Sequence, residues 1–389
     1  MLLQFSVRNF ASFRNLTVLS LLAGADKEHS EILLPVRREK LLPSCVVYGA
    51  NAAGKSNIFR AMGAAVDIVR TSNKMQSLDK ITQVEPFAAA GDGASDFDFI
   101  FTVGDVKYRY GFSADYGHVT AEYLYVYKTQ RPAVIFERDE TGFKFNADRE
   151  RKYRAFADMT PPNKLLLATL DAWNQTEVRP AFLWFLEGIG VYGSGDLKAA
   201  GKDLLGLEQD CLRFAVDLLS IADININSVN VEENNGSFEI TTEHLVRGRG
   251  GDTKFNLPIE KESEGTKRLL YLSPFIRKSL ACGQTLVIDE IDASLHPNLV
   301  CYLISLYHNP EINSRGAQLV VNTQDVTLLD LKYMRRDQIY FVEKDRKTGV
   351  SELYALDEFS PRKDENIRKG YLNGRYGAVP VISVKEPDL

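Results

Sequence analysis

The chain has 389 residues, of which 44% are hydrophobic and 25% charged, and its formal net charge is −5. That balance fits a globular protein long enough for one large or two ordinary domains, and it excludes nucleic-acid binding driven by bulk charge. It also leaves no apolar run near the ~20 residues of a membrane span.

The opening MLLQFSVRNFASF is interrupted by polar residues too early for a signal peptide, so a cytoplasmic protein with no membrane partner is expected. The scattered Cys45, Cys211, Cys282 and Cys301 lack zinc-ligand spacing and read as ordinary buried thiols. Residues 2–9 and 16–22 have the apolar character of two strands in an N-terminal hairpin. The β-prone Cys45–Tyr48 then enters Gly49-Ala50-Asn51-Ala52-Ala53-Gly54-Lys55-Ser56, which fits G-x-x-x-x-G-K-[ST] and leads into a helix from Asn57 to about Val69. With strand, loop and helix in that order, the loop N–H groups and helix N-terminus face phosphates. Lys55 is predicted to reach the β/γ oxygens and Ser56 to ligate Mg²⁺. Gly49, Asn51, Ala52, Ala53, Gly54 and Asn57 complete the candidate contacts of a nucleoside triphosphate.

From Asp96 to Phe136 the pattern alternates as in an antiparallel meander; its tyrosines (Tyr108, Tyr110, Tyr123, Tyr125, Tyr127) read as sheet packing. Residues 150–222 read as helical, interrupted by a loop at Gly188–Gly195, with Trp173 and Trp184 as anchors. Asn234-Asn235-Gly236 signals a hairpin, and Arg247–Gly251 reads as a mobile loop. A helix at about 265–280, a buried strand Leu286–Ile288, a helix from Pro297 and a buried strand Gln318–Val321 follow. The expected division is 1–145, 146–225 as a helical insertion, and 226–389. His296 reads as a helix-start residue before Pro297, and basic runs such as Arg149–Arg154 read as solvated surface.

Thr285-Leu286-Val287-Ile288 ends in Asp289-Glu290. A buried parallel strand presents ligand-binding groups at its carboxyl end. Asp289 is placed to hold Mg²⁺, and Glu290 to orient and deprotonate an attacking water. Upstream, Ser263-Glu264-Gly265-Thr266 opens a helix, whose N-terminus offers N–H groups and a positive dipole end to an anion. Downstream comes Asp292-Ala293-Ser294-Leu295-His296-Pro297.

In this order of motifs the chain resembles the ATP-binding-cassette (ABC) ATPases, in particular the branch of DNA-repair, chromosome-structuring and OLD-type (overcoming-lysogenisation-defect) proteins. Ser263–Thr266 is similar to that branch's signature loop, and Asp292 to its D-loop. Phe5–Phe13 resembles its opening strand. Tyr371–Pro380 is similar to the ending of small stand-alone ATPases of phage-defence and abortive-infection loci. The resemblance implies an α/β P-loop NTPase core of ABC type, with an antiparallel β subdomain and a helical insertion. It also implies ATP and Mg²⁺ as ligands and a head-to-tail dimer, or a higher oligomer, in which Ser263, Gly265, Thr266 and Asp292 meet ATP bound by the second copy. Gln83 is the candidate for the family's Mg²⁺-sensing glutamine. Gln324 stands where the family usually has histidine, which implies slow turnover. Ala52 replaces a common glycine, with a negative φ expected there.

The resemblance makes the leading expectation an ATP-hydrolysing sensor or regulator of an anti-phage system, with a separately encoded nuclease (TOPRIM-type) or toxin as effector. The alternatives are a repair- or chromosome-type ATPase that clamps DNA directly, and a scaffold that binds ATP but hydrolyses it weakly. The region 150–255 is too short for the long coiled coil of the clamps.

Overall fold

The computed structural model describes residues 1–380 except 38, 92, 194, 208, 223–224, 235–236 and 249–250; for 199, 202–204, 206–207, 234, 237 and 247–248 only the backbone is described. In chain order the elements are β1 (Leu2–Arg8), β2 (Thr17–Ser20), β3 (Leu34–Val36), β4 (Glu39–Leu41), β5 (Ser44–Gly49) and α1 (Lys55–Thr71). Then come β6 (Ser95–Val103), β7 (Val106–Ala114), β8 (Val119–Tyr127), β9 (Ala133–Asp139), β10 (Gly142–Lys144), α2 (Ala147–Asp158), α3 (Leu166–Ala172) and α4 (Arg179–Leu183). Next are β11 (Ile189–Tyr192), α5 (Asp196–Leu207), α6 (Gln209–Ile221), β12 (Ile226–Asn234), β13 (Ser237–Gly248), β14 (Gly251–Pro258) and α7 (Glu264–Cys282). The last are β15 (Thr285–Ile288), α8 (Pro297–His308), β16 (Gln318–Asn322), β17 (Ile339–Lys344), β18 (Ser351–Ala355) and α9 (Ile367–Leu372).

Two sheets carry the architecture. The core sheet has the order β11-β15-β16-β5-β17-β18 and is parallel from β11 to β17, with β18 antiparallel at the edge. Its central strands are short apolar runs because both faces are covered. Cys45, Val47, Val287, Val320 and Val342 point into one hydrophobic core, with α1 and the meander. Val46, Tyr48, Leu286, Ile288, Leu319, Val321 and Phe341 point into the other, with α7 and α8. The antiparallel sheet runs β10-β9-β8-β7-β6-β1-β2, so the N-terminal hairpin closes the meander. This is an α/β core with an antiparallel β subdomain and helical insertions, as expected.

Several local expectations change. Gly188–Gly195 is not a plain loop, because Ile189–Tyr192 forms β11 and pairs in parallel with β15. Glycines at 188, 190 and 193 hide it from a propensity reading; an added Cβ at Gly190 would lie 2.8 Å from the Tyr192 ring. β11 divides the 146–225 stretch. Arg247–Gly251 is not a free loop either: β13 runs through Gly248 and pairs with β14 from Gly251, and Arg249 and Gly250 lie outside the described residues. So do Asn235 and Gly236, although Asn234 pairs with Ser237 across the expected hairpin. Cys282 is exposed and Cys301 half-buried, whereas Cys45 and Cys211 are buried. Trp184 is buried and stacks on Phe101, but Trp173 is exposed. The basic run on α2 is partly internal, since Arg149 pairs with Glu177 and Arg154 with Glu150. No described helix is long and apolar enough to cross a membrane.

Candidate functional site

β5 delivers the phosphate loop at the carboxyl end of the core sheet, and α1 leaves it. Three glycine-type constraints shape the loop. Gly49 lies so close to β17 that an added Cβ would sit 2.5 Å from the Val342 carbonyl oxygen. Gly54 has φ 112°, and a Cβ there would fall 2.6 Å from Ser351 Oγ and 2.7 Å from Ser12 Oγ. Ala52 has φ 62°, which reverses the negative φ expected of it. An L-residue in the left-handed region costs roughly 1–2 kcal/mol, so this alanine is strained where glycine would not be.

The loop is held from outside by Ser12 and Ser351, which sequence reasoning did not single out, together with Asn57, whose side chain is turned to Ser12. Asn57 Nδ2 donates to Ser12 Oγ at 2.8 Å, Ser12 and Ser351 share a hydroxyl contact at 2.8 Å, and Ser351 Oγ reaches the Ala53 carbonyl at 2.6 Å. A carbonyl cannot donate, so Ser351 donates to Ala53 and accepts from Ser12, which accepts from Asn57. The chain of donors has one consistent direction. It ties the loop to the turn after β1 and to the start of β18, where Ser351 N also donates to the Ser12 carbonyl at 2.8 Å.

Lys55 is buried, and its ammonium donates to the carbonyls of Gly49 (2.8 Å) and Ala50 (3.2 Å). Burial lowers its pKa, opposed by the charges of Asp292, Asp289 and Glu290. The loop and the end of β15 lie at the same carboxyl edge of the core sheet, two strands apart. β16, lying between them, supplies the link. Asn322 accepts from the Glu290 N–H at 2.7 Å through Oδ1 and donates through Nδ2 to Asp289, while its carbonyl takes the Ile291 N–H at 3.2 Å. Glu290 is exposed with φ 53°, and Asp289 is half-buried. Asn322 was missed, although it sits at the carboxyl end of a strand already read as buried. The rule that pointed to Asp289 points to it equally.

Arg268, on the second turn of α7, donates to the Glu290 carbonyl at 2.7 Å and to the Asp289 carbonyl at 3.4 Å. It thereby joins the signature helix to the carboxylate turn. Gln324 is exposed, and its backbone N–H donates to Asp292 Oδ2 at 3.1 Å. Gln83 is half-buried and makes no hydrogen bond to the phosphate loop among the described residues. Its segment instead meets the N-terminal turn, with Ala11 N–H on the Glu85 carbonyl at 2.7 Å, and Arg60 of α1 pairs with Glu85. His296 caps α8 by accepting the Asn298 N–H, as its helix-start reading requires.

Ser263 caps α7, accepting the Thr266 N–H at 3.1 Å and sharing a contact with the Thr266 hydroxyl at 2.8 Å. Gly265 is needed for close approach, because a Cβ would lie 2.8 Å from the Ser294 carbonyl. The Ser263–Thr266 segment thus packs on the Asp292–Pro297 segment of its own chain. Glu264, Arg268, Ala293 and Ser294 line a cavity of about 340 Å³. The phosphate loop borders a different one, of about 820 Å³, lined by Ala50–Ala53, the β17–β18 hairpin and Ala378–Pro380. No lining residue is common to the two.

The residues present suit a Mg²⁺–triphosphate. The positive φ at Ala52 and Gly54 turns successive N–H groups inward, which makes an anion nest. Among the described residues no group of three or more His, Cys, Asp or Glu could hold a metal on its own. A divalent cation here would therefore take most of its ligands from phosphate and water, which is how Mg²⁺ is commonly bound. Ser56 and Asp289 are the side chains that would complete it. When bound, the cation would neutralise phosphate charge.

A phosphate loop on a parallel strand, with a carboxylate pair two strands away, defines a P-loop ATPase that binds and hydrolyses ATP. The chain belongs to the family described as "AAA domain, putative AbiEii toxin, Type IV TA system", whose model matches residues 45–330. No curated protein matches the sequence. Among solved structures it is similar to the SMC head domain from Thermotoga maritima (14% identity over 91% of this chain and 98% of that one, TM-score 0.42). It is also similar to the Smc head domain with an extended coiled coil, bound to the C-terminal domain of ScpA, derived from Pyrococcus furiosus (13% identity over 92% and 98%, TM-score 0.44).

Proposed function

We propose that two copies of this chain close head to tail on two ATP molecules, and that a separate partner reads the closed state. The observation that carries this is the separation of the two anion-facing segments. Within one chain the phosphate loop and the signature segment border different cavities with no shared lining residue. A signature helix N-terminus with Ser263 and Glu264 exposed has no phosphate of its own to contact, so a second copy's nucleotide is the natural occupant. In the closed state Lys55, Ser56 and the loop amides would hold the triphosphate, Asp289 with Ser56 the Mg²⁺, and Glu290 the attacking water. Gln324 would sit near the γ-phosphate as a hydrogen-bond donor that cannot carry a proton, which favours turnover below ~1 s⁻¹. Gln83 is kept as an additional Mg²⁺-side contact.

Closure and release then form a two-state switch whose bias is ATP's differential affinity for the dimer. A defence regulator of the OLD-like branch would hold or release a nuclease or toxin through it. The family description, which names a toxin of a type IV toxin–antitoxin system, supports that setting. A repair- or chromosome-type ATPase would use the same closure to clamp DNA.

The test uses Glu290→Gln with Mg²⁺ and ATP, its mass followed by light scattering. A monomer without nucleotide and a dimer with it are expected, the dimer being lost in Ser263→Arg while ATP still binds. An ATP-loaded monomer at every concentration would remove the proposal. The trapped dimer isolated from cells then separates the settings: a stoichiometric protein supports the regulator, and duplex DNA alone supports the clamp.

A further inference from the structure

The end of the meander farthest from the phosphate loop holds a second cleft. By register, Arg8 pairs with Asp96 near the turn that carries Ser12, whereas Leu2 pairs with Phe101, Thr102 with Lys107, and Lys107 with Tyr127. Six residues of β6 therefore separate the two ends, roughly 20 Å at ~3.3 Å per residue. The cleft has a volume of about 750 Å³ and is lined by Val36, Arg37, Glu39, Thr102, Lys107 and the Tyr127–Arg131 turn.

Its charge is unusual for a chain of net charge −5. Arg37, Lys107, Lys128 and Arg131 face a single lining carboxylate, Glu39, which Lys107 already pairs at 2.7 Å. Among the described residues no carboxylate lies within ion-pair distance of Arg37, Lys128 or Arg131. Arg37 is instead fixed by main-chain acceptors, donating to the carbonyls of Tyr127 at 2.9 Å and Lys128 at 3.4 Å. A guanidinium has five N–H donors, so three remain for a ligand in a fixed orientation. Arg37 is held at φ 54°, a backbone cost accepted to present it there. Val36 and the Tyr127 ring give the cleft apolar wall, and the Lys107 ammonium lies 5.5 Å from that ring's centroid. An apolar wall with two cations held in place and two more at the rim, in a volume within the ~300–1,000 Å³ of small-molecule sites, is the make-up of a ligand pocket.

We infer that this cleft binds a small phosphorylated ligand of nucleotide size, with Arg37 and Arg131 on its phosphate. The site lies outside the ATPase motifs and does not depend on the dimer. A ligand there would touch Thr102 of β6 as well as β7 and β8, and β1, which pairs with β6, leads into the Ser12 turn that braces the phosphate loop.

The test is calorimetric titration with the four 5′-nucleoside monophosphates and with pyrophosphate, using the full chain carrying Lys55→Ala to silence the phosphate loop and checked for folding by its melting curve. Saturable one-to-one binding of at least one probe is expected, weakened tenfold or more by Arg131→Ala and by Arg37→Ala. The ATPase rate of the otherwise native Arg131→Ala chain should be unchanged. Arg131 is exposed on a turn, so its variant remains informative even if Arg37→Ala disturbs the carbonyls it holds. Absence of saturable binding by any probe would overturn the inference, as would binding indifferent to Arg131. So would uptake of a duplex oligonucleotide with the same arginine dependence when the mononucleotides do not bind.

Discussion

The two segments that the proposed dimer would bring to one ATP, the phosphate loop and the Ser263–Thr266 signature segment, are built to different standards of completeness. The phosphate-loop half is braced on every side: β17 against Gly49, the Asn57–Ser12–Ser351 chain onto the Ala53 carbonyl, and Lys55 folded onto its own loop. The signature half is one capped helix end resting on the Ser294 carbonyl, with Ser263 and Glu264 exposed. A preorganised cradle can bind triphosphate alone, whereas a bare helix N-terminus gains little until an anion arrives. The difference fits the proposed closure, in which one chain is equipped to bind ATP and a second copy would finish the site. Arg268 connects the unfinished half to the Glu290 turn.

The largest expected effect breaks the finished half. Gly54→Ala places a methyl against Ser351 and Ser12 at a backbone conformation alanine resists, so the loop and its bracing chain cannot both persist. ATP affinity should fall roughly a hundredfold, about 2.7 kcal/mol, when measured with a fluorescent nucleotide. Gly265→Ala, a clash of similar closeness on the signature side, should leave monomer affinity intact and abolish the ATP-dependent dimer. Equal loss of nucleotide affinity in both variants would erase the distinction between the halves.

Next in size is Asn322→Ala, which removes the acceptor for the Glu290 N–H and the donor to Asp289. Residues that orient a catalytic group rather than touch substrate typically cost roughly 10- to 100-fold, and the loss should fall on kcat with KM little changed. A rise in KM with kcat preserved would mean that Asn322 serves binding.

Much of the finished half was legible in the sequence, and the reasons are local. Gly49–Ser56 and Thr285–Glu290 are contiguous, and each carries its context of strand and turn within a few residues. Asn322, Ser12 and Ser351 act across the fold: Ser12 and Ser351 are 339 positions apart in sequence, and nothing near either announces the contact. β11 was hidden because its partner strand, rather than its composition, makes it a strand. β17 and β18 went unread beside the more conspicuous carboxylate strand. The positive φ of Ala52 could not be read at all, since a residue's type sets only the cost of a conformation that neighbouring packing imposes.

The root of the phosphate-loop strand offers a third test, through pH. His308 is half-buried where Ser44 meets it at 2.8 Å and Gln338 Nε2 approaches at 3.1 Å. With the Gln338 amide donating to the Ser44 carbonyl and hydroxyl, the Ser44 O–H is left to donate to the imidazole Nε2, an arrangement that suits a neutral ring. Burial, with His29 nearby, pulls its pKa from 6.5 down to about 4. A depressed value means the neutral ring stabilises the fold at pH above 6.5, and that contribution is lost as pH falls through about 4. The loss is on the order of 3 kcal/mol at ~1.36 kcal/mol per unit. Melting curves between pH 7 and 4 should show it, with a shallower slope in His308→Gln. An equal slope in that variant would move the acid sensitivity to other groups.

The smallest effect tests whether the finished half carries a cost. Ala52 holds φ 62° in a loop whose other left-handed position is Gly54. Ala52→Gly should relieve roughly 1–2 kcal/mol of left-handed strain and give back roughly 0.5–1 kcal/mol in chain entropy. The net is a gain between zero and about 1.5 kcal/mol, a melting rise of at most about 3 °C in a chain of this size. ATP affinity should stay within about twofold, because the Ser351 hydroxyl fixes the neighbouring Ala53 carbonyl whatever occupies position 52. Combining Ala52→Gly with Ser351→Ala separates the two supports. With the hydroxyl gone, the added glycine freedom should reach the nucleotide and weaken ATP binding beyond the sum of the single changes. Simple additivity would mean that side-chain bracing and backbone strain act on the loop independently, and the phosphate half would then be two adjoining devices instead of one.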